Sequence, residues 1–475
     1  MGEFWFSGHG VVGLSLVSTL LLFGHGSASA QLGPLALQNP GTAPAGAATQ
    51  HGDSAASDTT PRPGPGARVS VSNISLLAVC PSVLIGADGV PLAVCTQILD
   101  QAPAVYLLDP NSGLPLAYHA LTKSGLFGGV YPYLDDQGNV VVVDGDQHLL
   151  RIRHKRNVLG LWSLDVVQDI ALDGAVGDDA VVGVAPDYAR NVWFATDHGT
   201  VGVISGSTGS IATVALPEGE RVFNSIATSP SRTAVVTDHA LYLFHVDENG
   251  APQIALRAPY DRGNARKPGK LSQGSGSTPT FFGPRTGSEY VALVDNAEPF
   301  EHLLVYPTSG SGDPICNLTL PTPTGKGSEN SPIGSGNSVF VASTYGYPYP
   351  AYPAGVSESV PASAPIGGGI TRVDLDSSSQ GCRVVWTNSV HSASVPKLSL
   401  ADRTIYTFER TSSFGSASAL DGYVYKAIDA VSGRTLASQA LGIGVDTLQM
   451  AGNIGSGRVL YQGIFGGVLR IAPSP

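Results

Sequence analysis

Seven times between residues 140 and 462 a short, strongly apolar run ends on a polar residue: Asp144, Asp197, Asp238, Asp295, Thr344, Glu409 and Gln462. The intervals are 53, 41, 57, 49, 65 and 53 residues. The same order of events recurs around each mark. A short strand with a Pro or small residue turns into the apolar strand, and a third strand alternates. A turn rich in Asp, Gly, Ser or Asn then introduces a fourth. RVFNSIATSPSRTAVVTDHALYLFHVDENGAPQIALRAP (221–259) is a complete copy. Four short antiparallel strands cannot bury their faces alone. A repeat of roughly 40–50 residues built from them does so by stacking radially, as a β-propeller. The expected fold is therefore all-β, a single closed propeller of four-stranded blades over 69–475. The seven marks plus the unit at 82–121 predict eight blades, with seven as the alternative. The last unit (448–473) is one strand short, and SNISLLAV (72–79) would close the ring.

Composition points the same way. Charged residues make up 13%, with 59 Gly, 34 Pro and two Met, which favours strands and tight turns over helices. Residues 11–23 are an apolar run too short to span a bilayer, and Ala28-Ser29-Ala30 follows it. Residues 1–30 thus read as a signal peptide, although no Lys or Arg precedes the run; a retained anchor is the alternative. Residues 31–68, rich in Ala, Gly, Pro and Ser, read as a disordered spacer. The protein is expected to be secreted, extracellular or periplasmic, with no membrane insertion after leader cleavage. Export makes disulfides the expectation for the four cysteines. Cys80–Cys95 is favoured as a local clip, and Cys316–Cys382 because both fall on outermost strands of neighbouring blades. The net charge of −11 argues against nucleic acid as a partner. RIRHKR (151–156) is basic, but its alternation with Leu150 and Ile152 marks a solvated strand face.

Antiparallel blades put the start of each first strand and the end of each second strand on one face. Around one channel mouth this gathers Asp144, Asp146, Asp197, His198, Asp238, His239, Asp295 and Asn296 with Asn224, Ser225, Ser277, Thr278, Glu329, Asn330, His391 and Ser394. Such carboxylates and amides suit a hard cation, with calcium the candidate. Asn224, Asp295, Asn296, Glu329 and Asn330 are the candidate ligands. The competing reading is that a corner Asp shapes its own turn by accepting backbone N–H bonds. His198 and His239, each beside an Asp, are the candidate catalytic bases, against a purely structural role between blades. Two longer loops reach this face. Residues 345–369 bring Tyr345, Tyr347, Tyr349 and Tyr352, suited to sugar rings or peptides. Residues 261–270 bring Arg262, Arg266, Lys267 and Lys270.

The segments YLLDPNSGLPLAYHAL and YKAIDAVSGRTLASQAL match the lyaldpxtGkxlw pattern of quinoprotein-like repeats. On that motif the chain resembles the quinoprotein alcohol dehydrogenase-like propeller superfamily over most of 69–475. The resemblance implies the fold, and quinone-dependent dehydrogenation as one activity. PQQ is not expected as a cofactor, because the chain has no adjacent Cys pair, no CxxCH haem site and only Trp162, Trp193 and Trp386 after the leader. FNSIATSPSRTAVVTDHALYLFHVDENG, in contrast, resembles one blade of gluconolactonase and strictosidine-synthase-like propellers. That resemblance implies a channel metal held near strand starts and aligns Asn224 with the Asn of their PNG motif, Ser225 standing where they have Gly. The leading reading is a binding or scaffolding module taking a small molecule, glycan or peptide at the mouth. A calcium-dependent ester or lactone hydrolase is the alternative, and the sequence leaves open whether the protein is an enzyme.

Overall fold

The computed structural model describes residues 1–5, 32–44, 46–123, 131–310, 312–376, 381–412 and 417–474. Most of the expected signal peptide lies outside the described residues. The fold is a seven-bladed β-propeller. Blade 2 (133–171), blade 3 (181–215), blade 4 (227–259), blade 5 (280–319) and blade 6 (333–387) are four-stranded antiparallel sheets in sequence order. Blade 7 (397–443) carries a fifth strand, Thr59–Thr60, and blade 1 has six strands. Among the described residues the helices are single turns, at Asp173–Val176, Thr324–Lys326 and Ser456–Arg458.

The middle strands explain the apolar runs. Val140–Val143, Val192–Thr196 and Ser338–Ala342 are buried at every position, because neighbouring blades cover both faces. The outermost strands face solvent on one side, and Trp162–Ala171 is mostly exposed or half-buried. Six of the seven polar marks close a second strand, just as the repeat requires: Asp144, Asp197, Asp238, Asp295 and Thr344 follow Val143, Thr196, Val236, Val294 and Ala342, and Glu409 lies near the end of Thr404–Thr411. Gln462 sits near the start of Leu460–Pro473, where it pairs with Gly452 of the preceding strand.

The expected count of eight is corrected to seven. The units at the two chain ends share one sheet through a single 17-residue strand, Val69–Ile85. Its first half pairs antiparallel with the C-terminal strand, from Val69↔Pro473 to Ser75↔Gly467. Its second half pairs with Pro91–Gln97. The predicted closure by 72–79 is therefore present, and it fuses the last unit to the first instead of completing a separate blade. Both expected disulfides form. Cys80–Cys95 clips this strand to the next, and Cys316–Cys382 joins the outermost strands of blades 5 and 6 with Cα atoms 5.6 Å apart.

The reading of 31–68 as a disordered spacer is overturned. Residues 33–66 run around the inner strands and bond to all seven blades. Asn39 reaches Pro186 O of blade 3, and Ala43 N donates to Leu134 O of blade 2. Ile85 N of blade 1 donates to Ala47 O, Thr228 N of blade 4 to Ser54 O, and Phe281 N of blade 5 to Ala55 O. Gly334 N of blade 6 bonds Ser57 O, and Thr59–Thr60 pairs parallel with Leu398–Ser399 of blade 7. First strands line the channel of a propeller, so this segment plugs it. Ala47, Ala48, Ala55, Asp58 and Thr60 are each at most 1% exposed. All these contacts fall near the turns joining first to second strands, which puts the plug at the face opposite the polar corners. Ala, Gly, Ser and Thr are what a narrow channel admits: their backbone groups pair with strand edges and they bring little volume. Poverty in large apolar residues signalled fit to a channel.

Candidate functional site

Strand starts and strand ends meet at the other face, as antiparallel blades require. Arg221 N donates to Asp238 Oδ1 in blade 4, Val294 N to Ser277 Oγ in blade 5, and Glu329 N to Thr344 Oγ1 in blade 6. The recurrence of Thr-Asp-His now has its physical content. Asp197, closing the second strand of blade 3, takes a two-pronged ion pair from Arg221 at the start of blade 4. Asp238, the same corner one blade on, pairs with Arg262 at 2.9 Å, on the approach to blade 5. At these two corners the repeated Asp ties its blade to the next around the mouth. The sequence pattern displayed the acids; the arginine partners lie in segments with no common motif.

The candidate histidines accompany these corners. His198 Nδ1 lies 2.8 Å from Asp179, with its side chain 70% exposed at the rim. His239 Nδ1 lies 2.8 Å from Asp238 Oδ1.

The five candidate ligands divide. Asp295 accepts from Ala297 N and His302 N through Oδ1 and faces His302 Nδ1 through Oδ2 at 2.8 Å, which is the turn-shaping arrangement. Burial raises its pKa, and those hydrogen bonds oppose the rise. Asn296 donates to the carbonyls of Arg262 and Ala265, holding the 261–270 loop. Asn224 points to Ser275 O, and Asn330 donates to Gln449 Oε1 and Ser394 O across to blade 7. Among the described residues no group of three or more His, Cys, Asp or Glu side chains is placed to hold a metal ion.

Glu329 differs from the others. It is 8% exposed, and its Oε2 has no hydrogen-bond partner. Burial lifts its pKa to about 7, against the opposing pull of the Lys270 ammonium. The carboxylate lies over Gly276, where a Cβ would fall 2.3 Å from Oε2; any side chain there would displace it. Beside it sits an ionic cluster in which the expected loop cations Lys267 and Lys270 meet an acid that sequence reasoning missed, Glu301. Lys270, fully buried, donates to Ser328 O and lies 3.3 Å from Glu301, also fully buried. Lys267 donates to Ala297 O, and burial lowers its pKa. Glu301 belongs to the loop before a third strand, a place where a solvated acid is the default reading.

The two long loops interlock over this mouth. Gly346 N donates to Pro268 O and Val360 N to Arg266 O, while Arg266 Nε reaches Ser357 O. Three of the four loop tyrosines hold a cation of the protein itself. Arg266 lies 4.4 Å from the Tyr352 ring, Arg410 5.3 Å from Tyr347 and Lys326 5.7 Å from Tyr345. The hydroxyl of Tyr347 also donates to Asp446. Tyr349 packs edge-on between Tyr347 and Tyr352. Its buried hydroxyl has no partner, and Glu329 and Tyr131 lie within its electrostatic reach. The mouth thus presents an unpaired carboxylate oxygen and an unpaired phenol under a braced cover, over a channel closed at its far end.

The solved quinohemoprotein alcohol dehydrogenase from Comamonas testosteroni aligns over 93% of this chain and 82% of its own, with a TM-score of 0.55 at 11% identity. The two chains share the β-propeller fold. At that identity the likeness concerns fold alone. BamB from Moraxella catarrhalis aligns over 71% of this chain and 85% of its own, at a TM-score of 0.41 and 12% identity. An uncharacterized protein of Archaeoglobus fulgidus is 31% identical over 133 residues, which is 27% of this chain. The chain spans about a quarter of that relative's length. No protein-family model matches.

Proposed function

We propose that the protein is an exported binding propeller that takes a polar ligand, a small molecule, glycan or short peptide, at the braced channel mouth. One observation carries the reading. Glu329 and Tyr349 are buried together with hydrogen-bonding capacity unspent, although buried polar groups are as a rule satisfied. A ligand that pairs with both recovers the desolvation cost of each. The plug supports the same reading, since it leaves the channel one approach. Two disulfides agree with export. A thermal-shift screen against monosaccharides, oligosaccharides and short peptides tests it, repeated on Glu329→Gln and Tyr349→Phe. The expected result is a stabilising compound whose effect drops in both variants. Hits indifferent to both substitutions, or no hit in any class, would overturn the reading.

A further inference from the structure

The third and fourth strands of blade 2 outgrow their blade. Val140–Val143 pairs only as far as Ile152 of the third strand, yet His148–Arg156 and Trp162–Ala171 stay paired to Arg156↔Trp162. Arg153 and His154 still touch the body, through Gln137 and Asp88. Beyond them a hairpin tip projects. Its turn is well formed: Asn157 Oδ1 accepts from Leu159 N and Leu161 N, and Gly160 takes a φ of 78°. This fixed turn holds Val158, Leu159 and Leu161 in water at 102%, 80% and 62% exposure. Burial elsewhere would be favourable for each, so the tip is built to meet an apolar phase.

The flanks say which one. Residues 153–162 hold three fixed cations, Arg153, Lys155 and Arg156, and no carboxylate, in a chain of net charge −11. Arg153 bonds neutral amides of Asn139 and Gln137, and Arg156 stacks 4.5 Å from the Trp162 ring. Both therefore keep their charge unpaired; Lys155 alone meets an acid, Asp165, and that pair is exposed. Three side chains at a tip are too little area for a stable protein interface, which takes roughly 800 Å² per partner. They do suit an interfacial wedge, where apolar burial and basic residues add as two weak signals. The strand 3–4 turns lie on the plug side, opposite the channel mouth.

We propose that this hairpin docks the protein on an anionic lipid surface. Val158, Leu159 and Leu161 enter the headgroup–acyl boundary, and Arg153, Lys155 and Arg156 meet the phosphates. Docking is peripheral and reversible, and it leaves the channel mouth facing away from the lipid. It does not depend on what the mouth binds. Co-sedimentation of the purified protein with vesicles of phosphatidylcholine, alone or mixed with phosphatidylserine, tests it. The expected result is binding to the mixed vesicles that weakens with salt. Leu159→Asp/Leu161→Asp should lower partitioning at least about tenfold, with an unchanged melting temperature because both residues are exposed. Lys155→Glu/Arg156→Glu should flatten the salt dependence. Equal binding to both vesicle types, absence of binding, or indifference to the leucine substitutions would overturn the proposal.

Discussion

Asp58 of the plug and Lys397 of blade 7 meet at 2.8 Å across 339 positions of sequence, Asp58 fully buried and Lys397 1% exposed. The second Asp58 oxygen faces His51 Nδ1, also at 2.8 Å. Removing one member of a buried pair leaves an uncompensated charge, which costs about 3–5 kcal/mol, whereas removing both together costs far less. Lys397→Met should therefore lower stability by about that amount, and Lys397→Met/Asp58→Asn should recover part of it. Urea denaturation followed by tyrosine fluorescence measures both. A double variant no better than the single would mean that the plug is held by its backbone bonds alone.

The Glu329 carboxyl has the opposite character, since it is buried with too little compensation. Its folded-state pKa of about 7 lies above the ordinary value of 4.5. Below pH 4.5 both folded and unfolded chains hold the proton, and burial carries no ionisation penalty. As pH rises from there the unfolded chain ionises first, so stability falls until the folded carboxyl also ionises near pH 7. The loss saturates at about 3 kcal/mol, from 1.36 kcal/mol per pKa unit. Glu329→Gln should be more stable than the parent at pH 8 by an amount that vanishes toward pH 4. A difference constant across that range would refute the assignment.

The repeat was readable because the middle strands are buried on both faces, so their apolar runs and the polar residues that close them survive as a period. The disulfides were readable from the same frame, which puts Cys316 and Cys382 on adjacent outer strands. The plug was hidden for a physical reason. Residues 39–60 pair mainly through backbone groups, and small side chains are what a channel admits, so their composition mimics disorder. His51, Asp53 and Asp58 were the available signal, three ionisable groups in an otherwise neutral tract. The blade count failed because Val69–Ile85 serves two units, and a shared strand leaves no mark in a spacing. At the mouth, Glu329 and the loop cation Lys270 were among the expected residues, while Glu301 was not, because it holds no repeated position.

The two disulfides close loops of very different size, with sequence separations of 15 and 66. In the chain-entropy model these contribute about 3 and about 4 kcal/mol. Replacing Cys316 and Cys382 by Ser should lower the denaturation midpoint more than the same change at Cys80 and Cys95, on loop-entropy grounds alone. The buried position of the latter pair works the other way, since Cys80 and Cys95 are at most 1% exposed and two hydroxyls there need partners. The order of the two midpoints therefore separates loop entropy from core polarity. A larger loss at Cys80–Cys95 would assign its role to packing.

Calcium provides the sharpest test of the corner residues. A bound ion needs oxygens at about 2.3–2.6 Å from a common centre. Asp295 could supply one only by releasing the Ala297 and His302 amides and the His302 ring that it now holds. Asn296 would have to turn its orphaned Oδ1 to the ion while keeping the Arg262 and Ala265 carbonyls on its amide. Of the two candidate carboxylates, only Glu329 has an oxygen free at no cost in existing bonds. One carboxylate does not make a site for an ion that takes six to eight ligands. Millimolar Ca²⁺ is therefore expected to leave the melting temperature of the parent and of Glu329→Gln equally unmoved. Asp295→Asn should instead destabilise the corner by about 1–3 kcal/mol, through its charged hydrogen bonds, with or without chelator. Stabilisation by Ca²⁺ that disappears in Glu329→Gln and in Asp295→Asn alike would reverse this, and would make the corner a metal site that assembles on binding.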